Sequence, residues 1–242
     1  MAQHKEIENK TYNERLFNPG LRGFFHNARF KWLYNSFLKR KISSGKILEI
    51  GCNDGRSLKY LPFKPEKYVG YDADWEGGFE EAIENYSSWN NCQFIKSDNP
   101  ISFNTQNEKF DYSLAMETLE HLPLIYLNDY LKKLSSATNL YGFYSVPNER
   151  GLVFFLKYFF KKLFIVQREP YSNKEIWYAL LGRLDKVKRN DTSHKGFDYK
   201  KLIIELEKYF DVEEVNGIPF SFLPASLNFT IGIVVKKKSK TF

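Results

Sequence analysis

The feature that most constrains the fold is a regular alternation of short apolar strand patterns and helical patterns through the first two thirds of the chain. This alternation is typical of βαβ crossovers, which build a parallel sheet covered by helices on both faces. The strand patterns lie at 46–50, 67–72, 92–96, 110–116 and 141–147, and the helical patterns at 54–60, 78–86 and 124–136. We therefore predict an α/β fold of the doubly wound, Rossmann-like type.

The end of the chain departs from this alternation. After a predicted helix at 199–209, strand patterns at 211–218 and 229–237 follow each other with only a proline-containing loop between them. Successive strands without a helical crossover pair most simply as antiparallel neighbours. We expect a mostly parallel, seven-stranded sheet that ends in an antiparallel C-terminal strand.

The remaining segments complete a single predicted domain, because 242 residues suffice for one α/β core with additions. Apolar residues at helical spacing predict a helix at 20–41, and an unusually long connection follows the fifth strand. We divide the chain into an N-terminal helical extension (1–45), the first five strands (46–150), a helical insertion expected to form a lid (151–198), and a C-terminal helix and hairpin (199–242).

The net charge of +7 is distributed unevenly along the chain. Residues 1–46 carry +7 and residues 151–190 carry +6, whereas residues 47–150 carry −7 and residues 191–242 carry +1. Solvated faces produce such runs in many proteins. As a pattern, the acidic middle suits a cationic ligand, and the basic segments suit an anionic substrate or surface.

The cysteines and the N-terminus indicate the cellular compartment. Cys52 and Cys92 are too few for a disulfide framework and lack the spacing of a zinc site, so we expect a reducing compartment and no metal centre. The charged start MAQHKEIENK does not match a secretory signal. We expect a cytoplasmic protein, at the inner face of the membrane if the insertion contacts lipid.

The stretch KILEIGCNDG joins the first strand to the next helix through a Gly-x-x-x-Gly turn. Gly51 permits a sharp turn, and Gly55 permits close helix packing or close approach of a ligand to the backbone. Asn53 stands where positive φ is expected, and Asn tolerates it best among non-glycine residues. Ligands of doubly wound sheets bind at the carboxyl ends of the strands, so Glu49 and this turn are binding candidates. An ordinary strand-to-helix turn explains the stretch equally well.

Two further acidic residues end the next strand patterns. Asp72 ends the second strand in GYDAD, and Asp98 ends the third strand region in FIKSD. A carboxylate at the first of these places can accept hydrogen bonds from both hydroxyls of a ribose, although a strand-end Asp also commonly caps a helix. Three acidic strand ends in chain order favour a nucleoside site.

Together these motifs resemble those of the class I S-adenosylmethionine-dependent methyltransferases, from Arg29 to the C-terminal hairpin. LEIGCNDG, GYDAD, FIKSD and FDYSLAMETLEHLP are similar to that family's first four motifs, and an antiparallel last strand is its signature. The EHLP element, followed by YGFYSVPNERG, resembles the branch of ubiquinone-type O-methyltransferases and of bacterial sugar and surface-polysaccharide methyltransferases.

The resemblance implies S-adenosylmethionine as the cofactor and assigns residues to its parts. Asp72 would hold the ribose hydroxyls, Asp98 would face the adenine amine, and Arg29 would pair with the methionine carboxylate. The other implied cofactor residues are Glu49, Gly51, Asn53 and Gly55 beside the methionine part, Ala73 beside Asp72, and Ala115, Met116 and Glu117 beside the sulfonium.

A hydroxyl acceptor of the methyl group needs a base, and histidine suits that task near neutral pH. His121 follows the fourth strand in TLEHLP and is our first candidate. His194 returns from the insertion in SHKGFDY and is the second, and His26 joins from the N-terminal helix. A lone histidine more commonly has a packing or hydrogen-bonding role than a catalytic one.

The insertion opens with the apolar, aromatic run GLVFFLKYFFKKLFIV at 151–166. Its lysines and its length exclude a membrane span, which needs about 20 apolar residues. We consider a lid over the acceptor, a homodimer contact, packing within the domain, and an interfacial helix at 152–166 whose Lys157, Lys161 and Lys162 face anionic head groups.

Our leading hypothesis is O-methylation of a small-molecule, glycan or lipid-linked acceptor, as in polysaccharide biosynthesis. Basic flanks motivate an RNA methyltransferase as an alternative, although nucleic acid is not the expected partner because no added RNA-binding module is present. An NAD-dependent oxidoreductase requires the G-x-G-x-x-G order, which the first turn lacks. A catalytically silent binding or scaffold protein is the alternative outside enzymes.

Overall fold

A computed structural model describes residues 17, 20–97, 108–164, 171–190 and 193–238, with side chains from 160 to 164 excepted. Seven strands form one sheet in the order β3-β2-β1-β4-β5-β7-β6. The strands are β1 (Lys46–Ile50), β2 (Lys67–Asp72), β3 (Cys92–Lys96), β4 (Phe110–Met116), β5 (Thr138–Pro147), β6 (Phe210–Ile218) and β7 (Thr230–Lys237). The predicted doubly wound seven-stranded sheet is confirmed.

Strand directions agree with the prediction for the end of the chain. β1 pairs in parallel with β2 and β4, and β5 pairs in parallel with β4. β7 lies between β5 and β6 and is antiparallel to both. The strands other than β7 therefore run in one direction, and β1, β2 and β4 end at the same edge of the sheet.

The described α-helices either cover the faces of the sheet or lie in the insertion. They are α1 (Leu21–Lys39), α2 (Phe79–Asn85), α3 (Leu124–Ala137), α4 (Gly151–Phe164), α5 (Asn173–Leu180) and α6 (Tyr199–Glu207). The predicted helix at 54–60 is wrong in type, because a single 3₁₀ helix spans Arg56–Tyr60. Gly55 precedes this helix in the left-handed conformation, and Leu61 is extended before Pro62, so a longer α-helix cannot form.

Two apolar cores hold the helices on the sheet. On one face, α3 and α6 bury Leu131, Leu134 and Leu206 against the strands. On the other face, α1 buries Phe37, whose ring stacks on Phe143 of β5 at a centroid distance of 4.5 Å. The N-terminal helix is thus part of the sheet's cover, and its first turns reach the edge where β1, β2 and β4 end.

The insertion forms a small core of its own between α4 and α5. Phe154 and Ala179 are buried there together with Leu184 and Val187. Helix α4 also presents apolar side chains to solvent, namely Leu152, Phe155, Leu156 and Phe159. The helix at Asn173–Leu180, which begins with a Ser172–Glu175 capping box, has no counterpart in the predicted elements.

Lys157 does not face outward, as the interfacial-helix alternative would require of it. Its Nζ lies 2.6 Å from Glu149 Oε1 and 3.0 Å from the backbone oxygen of Asn148. The side chains of Lys161 and Lys162 lie outside the described residues. Among the helices that are described, none combines the length and apolar character needed to cross a membrane.

Candidate active site

A cavity of about 960 Å³ lies at the edge of the sheet where β1, β2 and β4 end. Its volume is at the upper end of the roughly 300–1,000 Å³ range of small-molecule sites. Helix α1 closes one side with Phe25, His26 and Arg29, and the insertion contributes Lys157 and His194. The insertion therefore forms part of the cavity wall, as its predicted lid position requires.

The turn after β1 is built from residues with positive φ. Gly51, Asn53 and Gly55 have φ values of 74°, 43° and 68°. A Cβ on Gly51 would lie 2.1 Å from Thr118 Oγ1, so only glycine fits where the chain leaves the strand. The predicted positive φ of Asn53 is confirmed, and both Gly51 and Asn53 line the cavity.

Gly55 has a packing role and is not among the cavity-lining residues. A Cβ at this position would lie 2.8 Å from the Tyr86 ring. Of the two roles considered for Gly55, the structure supports close packing, here against the Tyr86 ring at the end of α2.

Replacing Asn53 with alanine is expected to lower the free energy of unfolding by about 1 kcal/mol relative to replacing it with glycine. Both variants remove the side-chain amide and only alanine keeps the Cβ, so their difference reports the cost of positive φ for a residue with a Cβ. Urea unfolding of the two variants measures it. Equal stability of the alanine and glycine variants would contradict a strained backbone at this position.

Glu49 lies at the end of β1 and is almost fully buried, although it contributes to the cavity wall. Its Oε2 accepts hydrogen bonds from the Ser57 hydroxyl and, at 2.6 Å, from the Tyr68 hydroxyl. Burial raises the pKa of Glu49 to about 7, and the nearby acids Asp54 and Asp72 add to the increase.

The pKa of Glu49 predicts a specific pH dependence of stability. The pKa of this carboxyl group rises from 4.5 to about 7 on folding. Its contribution to the free energy of unfolding is therefore complete below pH 4.5 and is lost as the pH rises towards 7. The Glu49→Gln variant cannot lose this proton, so its stability relative to wild type should rise between pH 4.5 and 7 and then level off. Urea unfolding across this range measures the difference, and a difference that does not change with pH would contradict the assignment.

Asp72 at the end of β2 accepts two backbone hydrogen bonds. Its Oδ2 lies 2.7 Å from the Asn53 nitrogen and its Oδ1 lies 2.6 Å from the Asp74 nitrogen. Burial raises the pKa of Asp72, although these two bonds act in the opposite direction. Asp72 and Ala73 line the cavity beside the first turn, whereas Asp98 lies outside the described residues.

Arg29 and Glu117 form a partly buried ion pair beside the end of β4. Arg29 Nη1 donates to Glu117 Oε2, and Glu117 Oε1 accepts a hydrogen bond of 3.1 Å from the Thr230 hydroxyl. Burial opposes ionisation of Glu117, but Arg29 and the other nearby basic groups outweigh it and lower the pKa to about 2. Arg29 Nε is buried and has no hydrogen-bond partner among the described residues.

The two predicted residues at the end of β4 differ in position. Met116 lines the cavity. Ala115 is fully buried in the core that α3 and α6 cover, and it is not among the lining residues. Side chains alternate between faces along a strand, so two neighbours cannot both point the same way.

Three histidines line the cavity, as the sequence predicts for His121, His194 and His26. The ring centroids of His121 and His194 lie 5.2 Å apart, and His26 Nδ1 lies 3.4 Å from Arg29 Nη1. Burial lowers the pKa of His26 and of His194 to about 4, and it also lowers the pKa of His121. All three imidazoles are therefore neutral near pH 7.

Two acidic residues beside these histidines were missed by the sequence reasoning. Glu120 Oε1 lies 3.7 Å from His194 Nε2 and 4.0 Å from His121 Nε2. Glu149 Oε1 lies 4.0 Å from His194 Nδ1. Glu149 follows β5 in VPNERG, so its position at a strand end was an available signal. Glu120 stands within the quoted EHLP motif, in a 3₁₀ helix after β4, and had no such signal.

Comparisons with known proteins agree with this geometry. A family model described as a methyltransferase domain matches residues 25–180. No curated protein matches the chain. The matched region contains β1 to β5 and the first part of the insertion, and therefore most of the cavity wall.

Solved structures of low sequence identity share the fold. An S-adenosylmethionine-dependent methyltransferase from Clostridium acetobutylicum is 11% identical with a TM-score of 0.63, covering 99% of this chain and 100% of its own. The N-methyltransferase NodS from Bradyrhizobium japonicum, in complex with S-adenosylhomocysteine, is 12% identical with a TM-score of 0.58, covering 98% of both chains. The small RNA methyltransferase HEN1 is 16% identical with a TM-score of 0.59, covering 88% of this chain and 25% of its own.

The strand order, the turn after β1 and the matched family model point to one conclusion. The chain belongs to the methyltransferase domain family and is a class I S-adenosylmethionine-dependent methyltransferase.

Proposed function

We propose that the chain transfers a methyl group from S-adenosylmethionine to a hydroxyl group of a small molecule, or of a glycan or lipid-linked intermediate. The observation that carries the proposal is that His121 and His194 line the same cavity as Asp72 and Arg29. A hydroxyl acceptor needs a group that takes its proton, and imidazole suits that task near neutral pH.

The described residues fit this cofactor in three respects. The unpartnered Nε of Arg29 suits a carboxylate, which is the group at the methionine end. Each Asp72 oxygen accepts one backbone hydrogen bond, which leaves a second lone pair for a ribose hydroxyl. The positive φ of Gly51 and Asn53 turns the chain so that both residues line the cavity. When bound, S-adenosylmethionine supplies an electrophilic methyl group on a sulfonium sulfur and leaves as S-adenosylhomocysteine.

The wall formed by α1, α4 and the start of β7 suits the acceptor. Phe25 and Phe229 line the cavity with ring centroids 4.2 Å apart, and Lys157 lies in the same wall. Aromatic faces pack against the apolar faces of sugars and other rings, and an ammonium group attracts an anionic group such as a phosphate. This lining supports a small acceptor or the terminal unit of a longer one.

The histidines supply the proton acceptor. Their neutral imidazoles each offer a nitrogen lone pair, and the 5.2 Å between the rings of His121 and His194 lets both reach one acceptor position. One imidazole takes the hydroxyl proton as the new carbon–oxygen bond forms. The cavity wall aligns the acceptor oxygen behind the methyl carbon. In a direct displacement this alignment matters more than removal of the proton.

The test is methyl transfer from S-adenosylmethionine with a deuterated methyl group to a panel of sugar, nucleotide-sugar and lipid-linked hydroxyl acceptors. We expect a labelled methyl ether in one acceptor class, with one S-adenosylhomocysteine released per product by mass spectrometry. Labelling of nitrogen atoms only, or of RNA only, would overturn the proposed acceptor class. Lack of both cofactor binding and transfer would favour the silent scaffold.

A further inference from the structure

Helix α4 exposes a continuous apolar stripe on one of its faces. The stripe consists of Leu152, Phe155, Leu156 and Phe159, whose spacing of three and four residues places them on the same side of the helix. Each of these residues is between 38% and 55% exposed. The opposite side of α4 buries Phe154 in the core of the insertion. Packing within the domain therefore accounts for only one side of this helix.

Helix α5 extends this apolar surface. A groove of about 310 Å³ between the two helices is lined by Phe155 of α4 and by Ile176, Trp177 and Leu180 of α5. Trp177 is 63% exposed, and Leu181, directly after α5, is 68% exposed. The exposed apolar side chains therefore form one connected surface, unlike scattered single residues. We call this surface the insertion patch and define it by Leu152, Phe155, Leu156, Phe159, Trp177 and Leu181.

The part of the insertion around α5 is basic. Residues 171–190 contain five basic and two acidic residues. One of the two acids, Glu175, lies 3.0 Å from the Nζ of a lysine. Lys174 lies three residues before Trp177 and therefore on the same side of α5, and both Lys174 and Arg183 are exposed. Exposed positive charge thus borders the insertion patch.

The combination of apolar and basic groups distinguishes between the surfaces that could cover the patch. In a symmetric homodimer the same patch meets itself, so the basic groups of the two copies would face each other and repel. Nucleic acid would attract the basic groups, but its phosphates would gain nothing from exposed Leu and Phe side chains. An anionic bilayer suits both kinds of group, because apolar and indole side chains enter the acyl boundary while basic groups remain among the head groups.

The insertion patch lies close to the candidate active site. Helix α4 packs against the 3₁₀ turn Ala225–Leu227, which comes two residues before Phe229 of the cavity wall. The same helix contributes Lys157 to that wall. One helix, about 10 Å across, therefore separates the patch from the cavity.

We propose that the insertion patch binds the surface of an anionic phospholipid bilayer. The cationic groups that face the bilayer include Lys174 and Arg183 but not Lys157, which contacts Glu149 in the cavity wall. The consequence for the acceptor rests on the proposed function. A cavity held at the bilayer surface favours a lipid-linked hydroxyl acceptor, whose apolar tail stays in the bilayer while its polar end enters the cavity.

Flotation of the full chain with phosphatidylcholine vesicles, with and without phosphatidylglycerol, tests the patch. We expect wild type to float with the anionic vesicles only, and high salt to weaken this binding. Changing both Trp177→Gln and Leu181→Gln should lower vesicle affinity more than about 10-fold, because full burial of one such side chain contributes a factor of about 10 or more. Changing both Lys174→Gln and Arg183→Gln should lower it about 10- to 30-fold, because each charge contributes a factor of about 5.

Two controls make the same kinds of change at the opposite edge of the sheet. Leu140→Gln alters an exposed leucine near the start of β5, and Lys46→Gln with Lys109→Gln removes two exposed charges beside the starts of β1 and β4. Both controls should bind vesicles as wild type does. No flotation of wild type, or wild-type affinity in the variant changed at Trp177 and Leu181, would overturn the proposal.

Two other outcomes would assign the patch to a different partner. Sedimentation velocity that shows a dimer in wild type and a monomer in the variant changed at Trp177 and Leu181, without vesicle binding, would make the patch a homodimer contact. Binding of an RNA oligonucleotide in place of vesicles, weakened by the changes at Lys174 and Arg183, would make it a nucleic-acid surface. Either result would overturn binding to a bilayer.

Calorimetric titration with S-adenosylhomocysteine on the same samples separates this inference from the proposed function. The patch variants should keep this binding, because none of the changed residues lines the cavity, and the binding also shows that they are folded. Binding of S-adenosylhomocysteine without vesicle binding in wild type would overturn the patch and leave the proposed function standing. Vesicle binding without S-adenosylhomocysteine binding would support the patch and contradict the proposed function.

Discussion

Replacing Asp72 with alanine is expected to weaken binding of S-adenosylhomocysteine by at least about 100-fold. Each hydrogen bond from a ribose hydroxyl to a charged carboxylate contributes about 1.5–3 kcal/mol, and two such bonds are lost. The backbone of Asn53 also loses its acceptor, which is 2.7 Å away in the wild-type chain, so the turn after β1 loosens as well. Isothermal titration calorimetry measures the affinity of both proteins.

The Asp74→Asn variant is the matched control for Asp72, because Asn tolerates the positive φ of 57° at this position. Asp74 accepts from the Phe79 nitrogen at 3.2 Å and pairs with Lys96 at 2.8 Å, and it is not among the cavity-lining residues. Its removal should leave the affinity for S-adenosylhomocysteine within about threefold of wild type, since an exposed pair contributes little. Unchanged affinity in Asp72→Ala would rule out the ribose role.

Replacing both His121 and His194 with alanine is expected to lower turnover on a hydroxyl acceptor by about 10²- to 10⁴-fold. Binding of S-adenosylhomocysteine should persist, because the turn after β1 and Asp72 are untouched. Mass spectrometry of released S-adenosylhomocysteine measures turnover. Wild-type turnover in the double variant would contradict a chemical role for either histidine.

The single variants test whether an imidazole acts as the base. If His121 acts as a base, added imidazole should restore part of the turnover of His121→Ala, and a chelator should leave wild type active.

The strands could be predicted closely from the sequence because each is a short apolar run with a clear end. β1 to β4 begin and end where the pattern places them, and the antiparallel β7 follows from the lack of a helical crossover pattern between it and β6. The helix after β1 could not be predicted as a single 3₁₀ helix from apolar spacing alone. Its length depends on the left-handed Gly55 and on Pro62.

Residues of the candidate site could be predicted from the sequence where their backbone position at a strand end brings them to the cavity. Gly51, Asn53, Asp72 and Met116 follow strand ends and therefore reach the cavity. Glu120 was not predictable in the same way, because its significance arises from complete burial without a hydrogen bond. Such burial depends on how the insertion packs, and the sequence pattern does not specify that.

The contacts of Lys157 also could not be predicted from the sequence. Its helical position beside apolar residues indicates an outward-facing charge, yet its Nζ contacts Glu149 at 2.6 Å inside the cavity wall. The partner precedes it by eight residues and lies before the helix, so helical periodicity within α4 could not identify the contact.

Calorimetric titration of the wild-type chain with S-adenosylhomocysteine and, separately, with NAD tests the central claim most directly. We expect saturable binding of one S-adenosylhomocysteine per chain and no binding of NAD, because the turn after β1 lacks the glycine order of a pyrophosphate site. Binding of NAD without binding of S-adenosylhomocysteine would contradict the account.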